Sequence, residues 1–279
     1  MHAISRQVKK YSRPLWPALH LLIFLSLLTS SRADEVAPMI AIIIDDLGYH
    51  HSPDASVIDL DIPVTCAFLP DTPYSKSLAV AAHEQGKEIM LHIPMESLNH
   101  KALGPGGLEL DMSEQQFQSS LAHSLDSIPY VQGINNHMGS LLTQHPGHMA
   151  WLMQELKGRR PSLYFIDSRT TTKTVALKLA REYGVPSLKR DVFIDSKPND
   201  EAYATSQLLH ARHVAQQNGF AVAIGHPFPE TLAAIKKMSL AMKQEGIRFV
   251  TVSQLMTALD RRQPQWHAYL SPSLKAAKN

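Results

Sequence analysis

Two adjacent carboxylates, Asp45 and Asp46, follow an uninterrupted apolar run from Ile40 to Ile44. Such a run is typical of a strand that is buried on both faces, as in a parallel sheet. Neighbouring side chains of a strand point to opposite sides, so the two carboxylates can share one direction only if the chain bends there. Because adjacent carboxylates repel each other, the pair predicts a bound cation or a hydrogen-bond network.

Polar and ionisable side chains also follow several later apolar runs at corresponding positions. The carboxyl ends of parallel strands meet at one face of a barrel, so we expect these side chains to converge with the Asp pair. The residues concerned are His92, Glu96, Asn136, His137, Asp167, Ser168 and His226.

Carboxylates and imidazoles in this arrangement are typical of a catalytic metal site. Catalytic zinc takes about three protein ligands from His, Asp and Glu and keeps one position for water. The metal lowers the pKa of that water and polarises a carbonyl, so metal-bound water can attack an amide. A carboxylate beside the metal can accept the proton of the water, and a His on the far side can protonate the leaving group.

Two other hydrolytic mechanisms fit the residues less well. A serine hydrolase of the G-x-S-x-G type is disfavoured because the sequence lacks that motif. A glycosidase pair, Asp45 or Asp46 with Glu96 or Asp167, remains an alternative but leaves the strand-end histidines without a role. The sequence also lacks a phosphate-binding loop and a dinucleotide fingerprint.

Apolar runs alternate with amphipathic segments from residue 38 onward, which predicts a parallel sheet, closed or open. The predicted strands span 40–45, 64–69, 88–93, 132–136, 162–167, 192–195, 220–224 and 248–252, with 185–188 as a rival for the sixth. The predicted helices span 74–85, 113–127, 145–157, 174–183, 200–218, 230–244 and 253–259. A glycine follows four of these helices, where a left-handed residue is favoured: Gly86, Gly184, Gly219 and Gly246.

The two ends of the chain differ from its body. Residues 1–33 combine a basic start, an apolar stretch and a small-x-small site ending at Ala33, which predicts a secretory signal peptide. An uncleaved N-terminal anchor is the competing interpretation; in both cases we expect the body to be exported, with a periplasmic location. Residues 34–260 are predicted to form one domain, and residues 261–279 a loosely held polar tail.

Composition excludes some classes of protein. The first 33 residues carry five Lys or Arg and no acidic residue, so the remaining 246 residues hold 22 basic and 25 acidic side chains. No basic stripe then argues for nucleic-acid binding. Cys66 is the single cysteine, so an intrachain disulfide is impossible, and its apolar surroundings predict a buried side chain.

Five segments together resemble the divergent polysaccharide deacetylases of the YibQ type, which are distant relatives of the NodB-type carbohydrate esterases. The resemblance covers residues 38–259 and is carried, in this order, by IIIDDLG, LHIPME, NNHMGS, FIDSRT and IGHP. It implies an α/β fold, a deformed (β/α) barrel with seven or eight parallel strands. It also implies metal-dependent removal of acetyl groups from amino sugars.

The resemblance implies a role for individual residues. Asp45 matches the general base, Asp46 and His92 match metal ligands, and His226 matches the general acid. Asp167 matches an acidic residue that supports the catalytic site.

The second of the five segments departs from the NodB pattern. NodB-type enzymes carry another metal-binding His four residues after the first, and Glu96 stands at that position here. We expect His137 to be the third ligand, with Glu96 as the alternative. Asn136, Glu96 and Ser168 are the expected substrate contacts.

The leading hypothesis is therefore an exported metal-dependent hydrolase that removes acyl groups, expected to be N-acetyl, from a polysaccharide or peptidoglycan-type glycan. Zinc is the expected ion, although cobalt and manganese accept similar ligands. The alternative is a catalytically altered barrel that binds a saccharide or an envelope partner. We expect no nucleic-acid partner and no membrane span after signal cleavage; the sequence indicates no oligomeric state.

Overall fold

The computed structural model describes residues 37–262, so the predicted signal peptide and the chain beyond residue 262 lie outside the described residues. The strands of the described part are β1 (Met39–Leu47), β2 (Thr65–Phe68), β3 (Glu88–Met95), β4 (Val131–Met138), β5 (Tyr164–Asp167), β6 (Ser187–Lys189), β7 (Val192–Phe193), β8 (Phe220–Gly225) and β9 (Arg248–Val250). Its α-helices are α1 (His51–Ile58), α2 (Ser75–Glu84), α3 (Glu114–Ser127), α4 (Pro146–Gly158), α5 (Ala176–Tyr183), α6 (Glu201–Asn218), α7 (Pro229–Gln244) and α8 (Val252–Arg262).

The strands form one parallel sheet in the order β6-β5-β4-β3-β2-β1-β8-β7, and β9 pairs with the start of β1. Strands β6 and β7 lie at opposite ends of this order, yet only Arg190 and Asp191 separate them in the chain. The sheet must therefore curl until its edges are adjacent. The two residues bridge those edges: Arg190 N donates to Asp167 O and Asp191 N donates to Val222 O, both at 2.9 Å. The predicted deformed (β/α) barrel is confirmed.

Alternate residues of the strands face two different cores. Ile40, Ile42 and Ile44 pack outward against the helices. Met39 and Ile43 belong to the inner core of the barrel. Burial on both faces explains why the run is apolar without interruption. The same alternation directs Asp45, two residues after Ile43, toward the interior.

Helix α8 closes the barrel at the amino ends of the strands. Val252 and Leu255 belong to the inner core. The backbone N–H of Ser253 donates to the buried Glu88 carboxylate at 3.1 Å, and the Tyr164 hydroxyl donates to the same carboxylate at 2.6 Å. These contacts close the barrel at the amino ends of the strands. The side chains of the candidate site lie at the opposite end, where the strands have their carboxyl ends.

Most elements follow the sequence-based prediction. Each predicted helix is present, and the Ser113 side chain begins α3 with the predicted capping box to Gln116. Both segments considered for the sixth strand form strands, β6 and β7. The four glycines after the predicted helices all have positive φ, between 68° and 85°. None of the described helices combines the length and apolarity that crossing a membrane requires.

Helix α1 is absent from the prediction. It has only eight residues and buries just two of them, Asp54 and Val57, so no amphipathic pattern marks it. Its function in the fold is clear from its contacts: Asp54 Oδ2 accepts hydrogen bonds from the N–H groups of Gly48 and His50, at 2.7 and 3.1 Å. The helix therefore fixes the loop that follows the Asp pair.

Candidate metal centre

The end of β1 bends at Asp46, as a shared direction of the two carboxylates requires. Asp46 has a φ of +60°, and the pairing of β1 with β2 shifts register between Ile44 and Leu47. Asp tolerates the left-handed conformation better than most residues because its short polar side chain bonds locally. The bend allows both Asp45 and Asp46 to approach His92, at 3.7 and 3.1 Å from its Nε2.

The structure places Asp46, His92 and His137 around one point. Asp46 Oδ1 lies 3.1 Å from His92 Nε2 and 2.8 Å from His137 Nδ1, and the two ring nitrogens are 3.1 Å apart. Tetrahedral zinc with bonds of about 2.0–2.1 Å separates its ligand atoms by roughly 3.3 Å. The triangle is only slightly tighter than that spacing. The three side chains therefore fit a shared divalent cation.

One unsatisfied atom of this triangle, Asp46 Oδ1, supports the same interpretation. Asp46 Oδ1 is shielded from solvent and makes no hydrogen bond of good geometry with any described residue, although two imidazole nitrogens approach it. Burial alone would raise the pKa of Asp46, but His137 and His92 outweigh burial and hold that pKa far below its usual range. Asp46 is therefore a carboxylate that is ready to bind a cation.

Asn135 orients His92. Its Oδ1 lies 2.7 Å from His92 Nδ1, because Asn135 pairs directly with His92 in the register of β3 and β4. The amide oxygen can only accept, so His92 Nδ1 carries the proton and His92 Nε2 offers its lone pair to the cluster. A second partner that fixes the tautomer in this way is typical of metal-binding histidines.

Asp45 is buried beside the cluster but is not one of its three members. The side-chain N–H of Asn135 donates to Asp45 Oδ1 at 2.8 Å. Burial raises the pKa of Asp45, and the charges of His92 and His226 only partly offset it. Asp46 can therefore bind the candidate cation, while the Asp45 carboxylate lies beside it.

His226 enters the site from the neighbouring strand. Ile44 pairs with Gly225, so Asp45, near the end of β1, lies beside the residue that follows β8, which is His226. Its Nδ1 lies 2.9 Å from Asp195 Oδ1, and its Nε2 lies 3.6 Å from Asp46 Oδ2. Burial would lower the pKa of His226, but the Asp195 carboxylate, with Asp45 and Asp46, raises it to about 9.

Asp195 is held in place by two further hydrogen bonds. Its Oδ2 accepts from the His226 backbone N–H at 2.6 Å and from the Thr231 hydroxyl at 2.9 Å. The ring of His226 is thereby fixed with Nδ1–H toward Asp195 and Nε2 toward the cluster. His226 can therefore hold a proton at an atom that faces the site.

The other predicted site residues have different positions. Glu96 accepts from Leu110 N at 2.8 Å and contacts His100 Nδ1 at 2.9 Å, so it braces the following loop and is not in the cluster. Asp167 accepts from Arg169 N at 2.8 Å and from the Thr174 hydroxyl at 3.0 Å, and burial raises its pKa. The structure does not bring these two carboxylates to the candidate cation.

Asn136 and Ser168 lie together at the wall of the cavity beside the cluster. The Asn136 Oδ1 accepts from Ser168 N at 2.9 Å, and its Nδ2 donates to Met138 O at 2.7 Å. Asn136 thus joins the ends of β4 and β5.

Sequence reasoning missed three residues of the site: Asn135, Asp195 and Arg190. Asn135 stands in the NNHMGS segment, and Asp195 ends the predicted strand 192–195, so both carried the strand-end signal. No strand-end pattern marked Arg190, because it lies in the two-residue connection between β6 and β7. It lines the same cavity as Asp45 and His92.

Several known proteins are similar to this chain in sequence or in structure. Residues 42–256 match the family model of the divergent polysaccharide deacetylases. An uncharacterized protein of Haemophilus influenzae is 38% identical over 216 residues, which cover 77% of this chain and 76% of that protein. The uncharacterized protein YibQ of Escherichia coli K12 is 35% identical over 237 residues, covering 85% and 73%. The crystal structure of the uncharacterized protein ATU2773 from Agrobacterium tumefaciens C58 matches with a TM-score of 0.74 at 25% identity, over 78% of this chain and 89% of that chain.

Proposed function

The chain belongs to the divergent polysaccharide deacetylase family, and from this premise we propose that it is a metal-dependent hydrolase that removes acyl groups, N-acetyl in the first instance, from a saccharide. The observation that carries the proposal is the triangle of Asp46, His92 and His137, with Asp45 and His226 beside it. The set combines three metal-binding side chains with a separate base and a separate acid.

Zinc is the ion we propose, because two imidazoles and one carboxylate with an open fourth position form its usual catalytic ligand set. A cation bound by Asp46, His92 and His137 would supply a Lewis acid that acidifies water and polarises a carbonyl. Cobalt and manganese accept similar ligands.

The protein side chains supply the proton transfers. Asp45 accepts a proton from the attacking water, and its raised pKa makes it a better base than an ordinary carboxylate. The new C–O bond forms at the acyl carbon, and the C–N bond to the sugar breaks. His226 Nε2 donates its proton to the departing nitrogen, while Asp195 stabilises the charged ring. The products are a carboxylate such as acetate and a free amino sugar.

Release of acetate tests the proposal. The purified protein with one equivalent of zinc should release acetate from N-acetylated oligosaccharides of peptidoglycan type. Asp45→Asn should lower the rate by at least about 100-fold, within the range of general base catalysis, while keeping the zinc. The exposed His213, changed to Asn, is the matched control and should keep the activity. Saccharide binding without acetate release would instead favour the altered-barrel alternative.

We also propose that the protein is exported to the periplasm. The proposal is supported by the basic start, apolar stretch and small-x-small site of residues 1–33. Cell fractionation with N-terminal sequencing of the recovered protein tests it. Recovery in the periplasm with a new terminus near residue 34 is expected, and recovery in the cytoplasm would contradict it.

A further inference from the structure

One wall of the cavity beside the metal centre carries positive charge. The cavity is lined by Asp45, His92 and His137 at the cluster, and by Arg169 and Arg190 at its other side. The two arginines follow β5 and β6, so they reach the same mouth as the cluster. A substrate group in this part of the cavity would contact guanidinium groups.

Ser168 contributes an unsatisfied hydroxyl to the same cavity. Ser168 is only 6% exposed, and its Oγ has no hydrogen-bond partner among the described residues. The backbone of Ser168 is fixed on both sides, since its N–H donates to Asn136 at 2.9 Å and its C=O accepts from Arg190 Nε at 2.7 Å. This hydroxyl is shielded from solvent in the structure and must rotate to reach a ligand in the cavity; because it has no partner, it loses no hydrogen bond when it does so.

Neither Arg169 nor Arg190 forms a direct ion pair with a carboxylate of the described residues; Asp167 interacts with both at longer range, and Asp45 and Asp195 interact with Arg190. Arg190 is fixed by Ser168 O at 2.7 Å and Arg169 O at 3.2 Å, with its guanidinium 4.5 Å from the centre of the Phe193 ring. Arg169 has a φ of +54° and its N–H is bound by Asp167 at 2.8 Å. Among the described residues, neither arginine has a carboxylate oxygen within 4.0 Å. The pair is therefore available to an external anion.

The opposite side of the cluster has a different character. A second cavity there is lined by Tyr49, Leu103 and Phe228, and it shares His137 and His226 with the first. The apolar side suits the face of a sugar ring, whereas an anionic substituent would be placed on the arginine side. A saccharide bound across the cluster would therefore place its sugar face in the apolar cavity and its anionic substituent in the cavity with the arginines.

We propose that Ser168, Arg169 and Arg190 form an anion subsite, so that the substrate is an acylated saccharide with a carboxylate or phosphate close to the acyl group. The proposal deepens the proposed function and depends on it for the orientation of the acyl group. Guanidinium groups bind both anions through paired N–H donors, and the hydroxyl adds a third donor. Arg190 also interacts at longer range with Asp45, and Arg169 with Asp167, but neither arginine is paired directly with a carboxylate.

Binding of three related N-acetylated sugars tests the subsite without depending on turnover. The probes are N-acetylglucosamine, which is neutral, N-acetylmuramic acid, which adds a carboxylate, and N-acetylglucosamine 6-phosphate, which adds a phosphate. Calorimetric titration of the purified protein, metal-free and with zinc, should show at least one anionic probe binding about tenfold or more tightly than the neutral one. The tighter of the two anions identifies its source as an acidic sugar or a phosphorylated one.

Matched variants separate the subsite from general effects of charge. Arg169→Gln and Ser168→Ala should each remove most of the preference for the anionic probe and leave binding of the neutral probe unchanged. Lys173→Gln removes the same charge from an exposed position of the same loop and should change neither. Equal or absent binding of all three probes, or an equal effect of Arg169→Gln and Lys173→Gln, would overturn the proposal.

The outcomes also distinguish this inference from the proposed function. Anion preference with no acetate release from any substrate would leave the subsite in place and reject the hydrolase. Equal acetate release from neutral and anionic oligosaccharides, with no anion preference in binding, would support the hydrolase and reject the subsite.

Discussion

Oδ1 of Asp46 lies 2.8 Å from Nδ1 of His137, a contact that joins the ends of β1 and β4 across the barrel mouth. His92, on β3, completes the triangle with these two residues. Glu96 stands at the position of the second NodB-type histidine but turns away to bind Leu110 N. The site thus has three potential ligands, although the LHIPME segment lacks the second histidine of the NodB pattern.

Removal of His137 should therefore abolish tight metal binding. His137→Ala takes away one of three ligands, so we expect the zinc affinity to fall by more than about 100-fold, beyond the usual effect of an outer-shell change. Competition with a fluorescent chelator measures it. Glu96→Gln and His213→Ala serve as controls and should bind zinc as the wild type does. Loss of binding in Glu96→Gln, with retention in His137→Ala, would assign the third ligand to Glu96.

Asn135 should have two separable effects because it bonds both His92 and Asp45. Asn135→Ala removes the acceptor for His92 Nδ1–H and should weaken zinc binding by about 10- to 100-fold. Asn135→Asp keeps that acceptor, so zinc binding should persist. Its new charge should raise the pKa of Asp45 further and move the acidic limb of the pH–rate profile upward. Equal zinc affinities for the Ala variant and the wild type would exclude the orienting role.

Strand-end reasoning predicted that the side chains of Asp46, His92 and His137 meet, because a parallel barrel converts the carboxyl ends of distant strands into neighbours. The roles of Asp46 and His92 as metal ligands came from the family resemblance. Strand-end reasoning also predicted that the chain bends between the two aspartates. It could not predict the Asp195–His226 contact, which depends on the pairing of the two-residue strand β7 with β8. The length of β7 and its register with β8 are set by tertiary packing, which sequence periodicity does not reveal.

The direction of Glu96 was equally beyond sequence pattern. Its carboxylate binds the backbone of Leu110, in a Gly-rich insertion without hydrophobic periodicity. Arg190 escaped notice because turn geometry, rather than a strand end, brings it to the cavity, and Arg169 stood in the FIDSRT segment without an assigned role. Most predictable features thus came from strand periodicity, whereas the direction of Glu96 and the position of Arg190 depend on loops.

The His226–Asp195 pair should make the stability of the metal-free protein depend on pH. The folded-state pKa of His226 is raised to about 9 from 6.5, so the folded protein holds a proton that the unfolded chain releases between these values. This contribution is complete below pH 6.5 and is lost as the pH rises to about 9, at up to ~1.4 kcal/mol per pH unit.

Urea denaturation at pH 6, 7.5 and 9 measures this dependence. The difference in free energy of unfolding between the wild type and His226→Gln should be largest at pH 6 and should shrink toward pH 9. A difference that stays constant over this range would show that the Asp195 contact does not shift the titration of His226.

Gly48 should be essential for the loop that follows the Asp pair. It has a φ of +119°, and an added Cβ would lie 2.1 Å from the Thr72 hydroxyl oxygen. Gly48→Ala should therefore lower the free energy of unfolding by about 2 kcal/mol or more. Gly158→Ala, at the end of α4 with open space around it, should be neutral or stabilising by up to about 1 kcal/mol. Equal stabilities for the two variants would contradict the close packing at Gly48.

The most direct test is anomalous diffraction from crystals of the zinc-loaded protein. A single ion should appear within about 2.0–2.2 Å of Asp46 Oδ1, His92 Nε2 and His137 Nδ1, with Asp45 and His226 beside it and uncoordinated. No ion at this mouth, or an ion held by Glu96 in place of His137, would contradict the account.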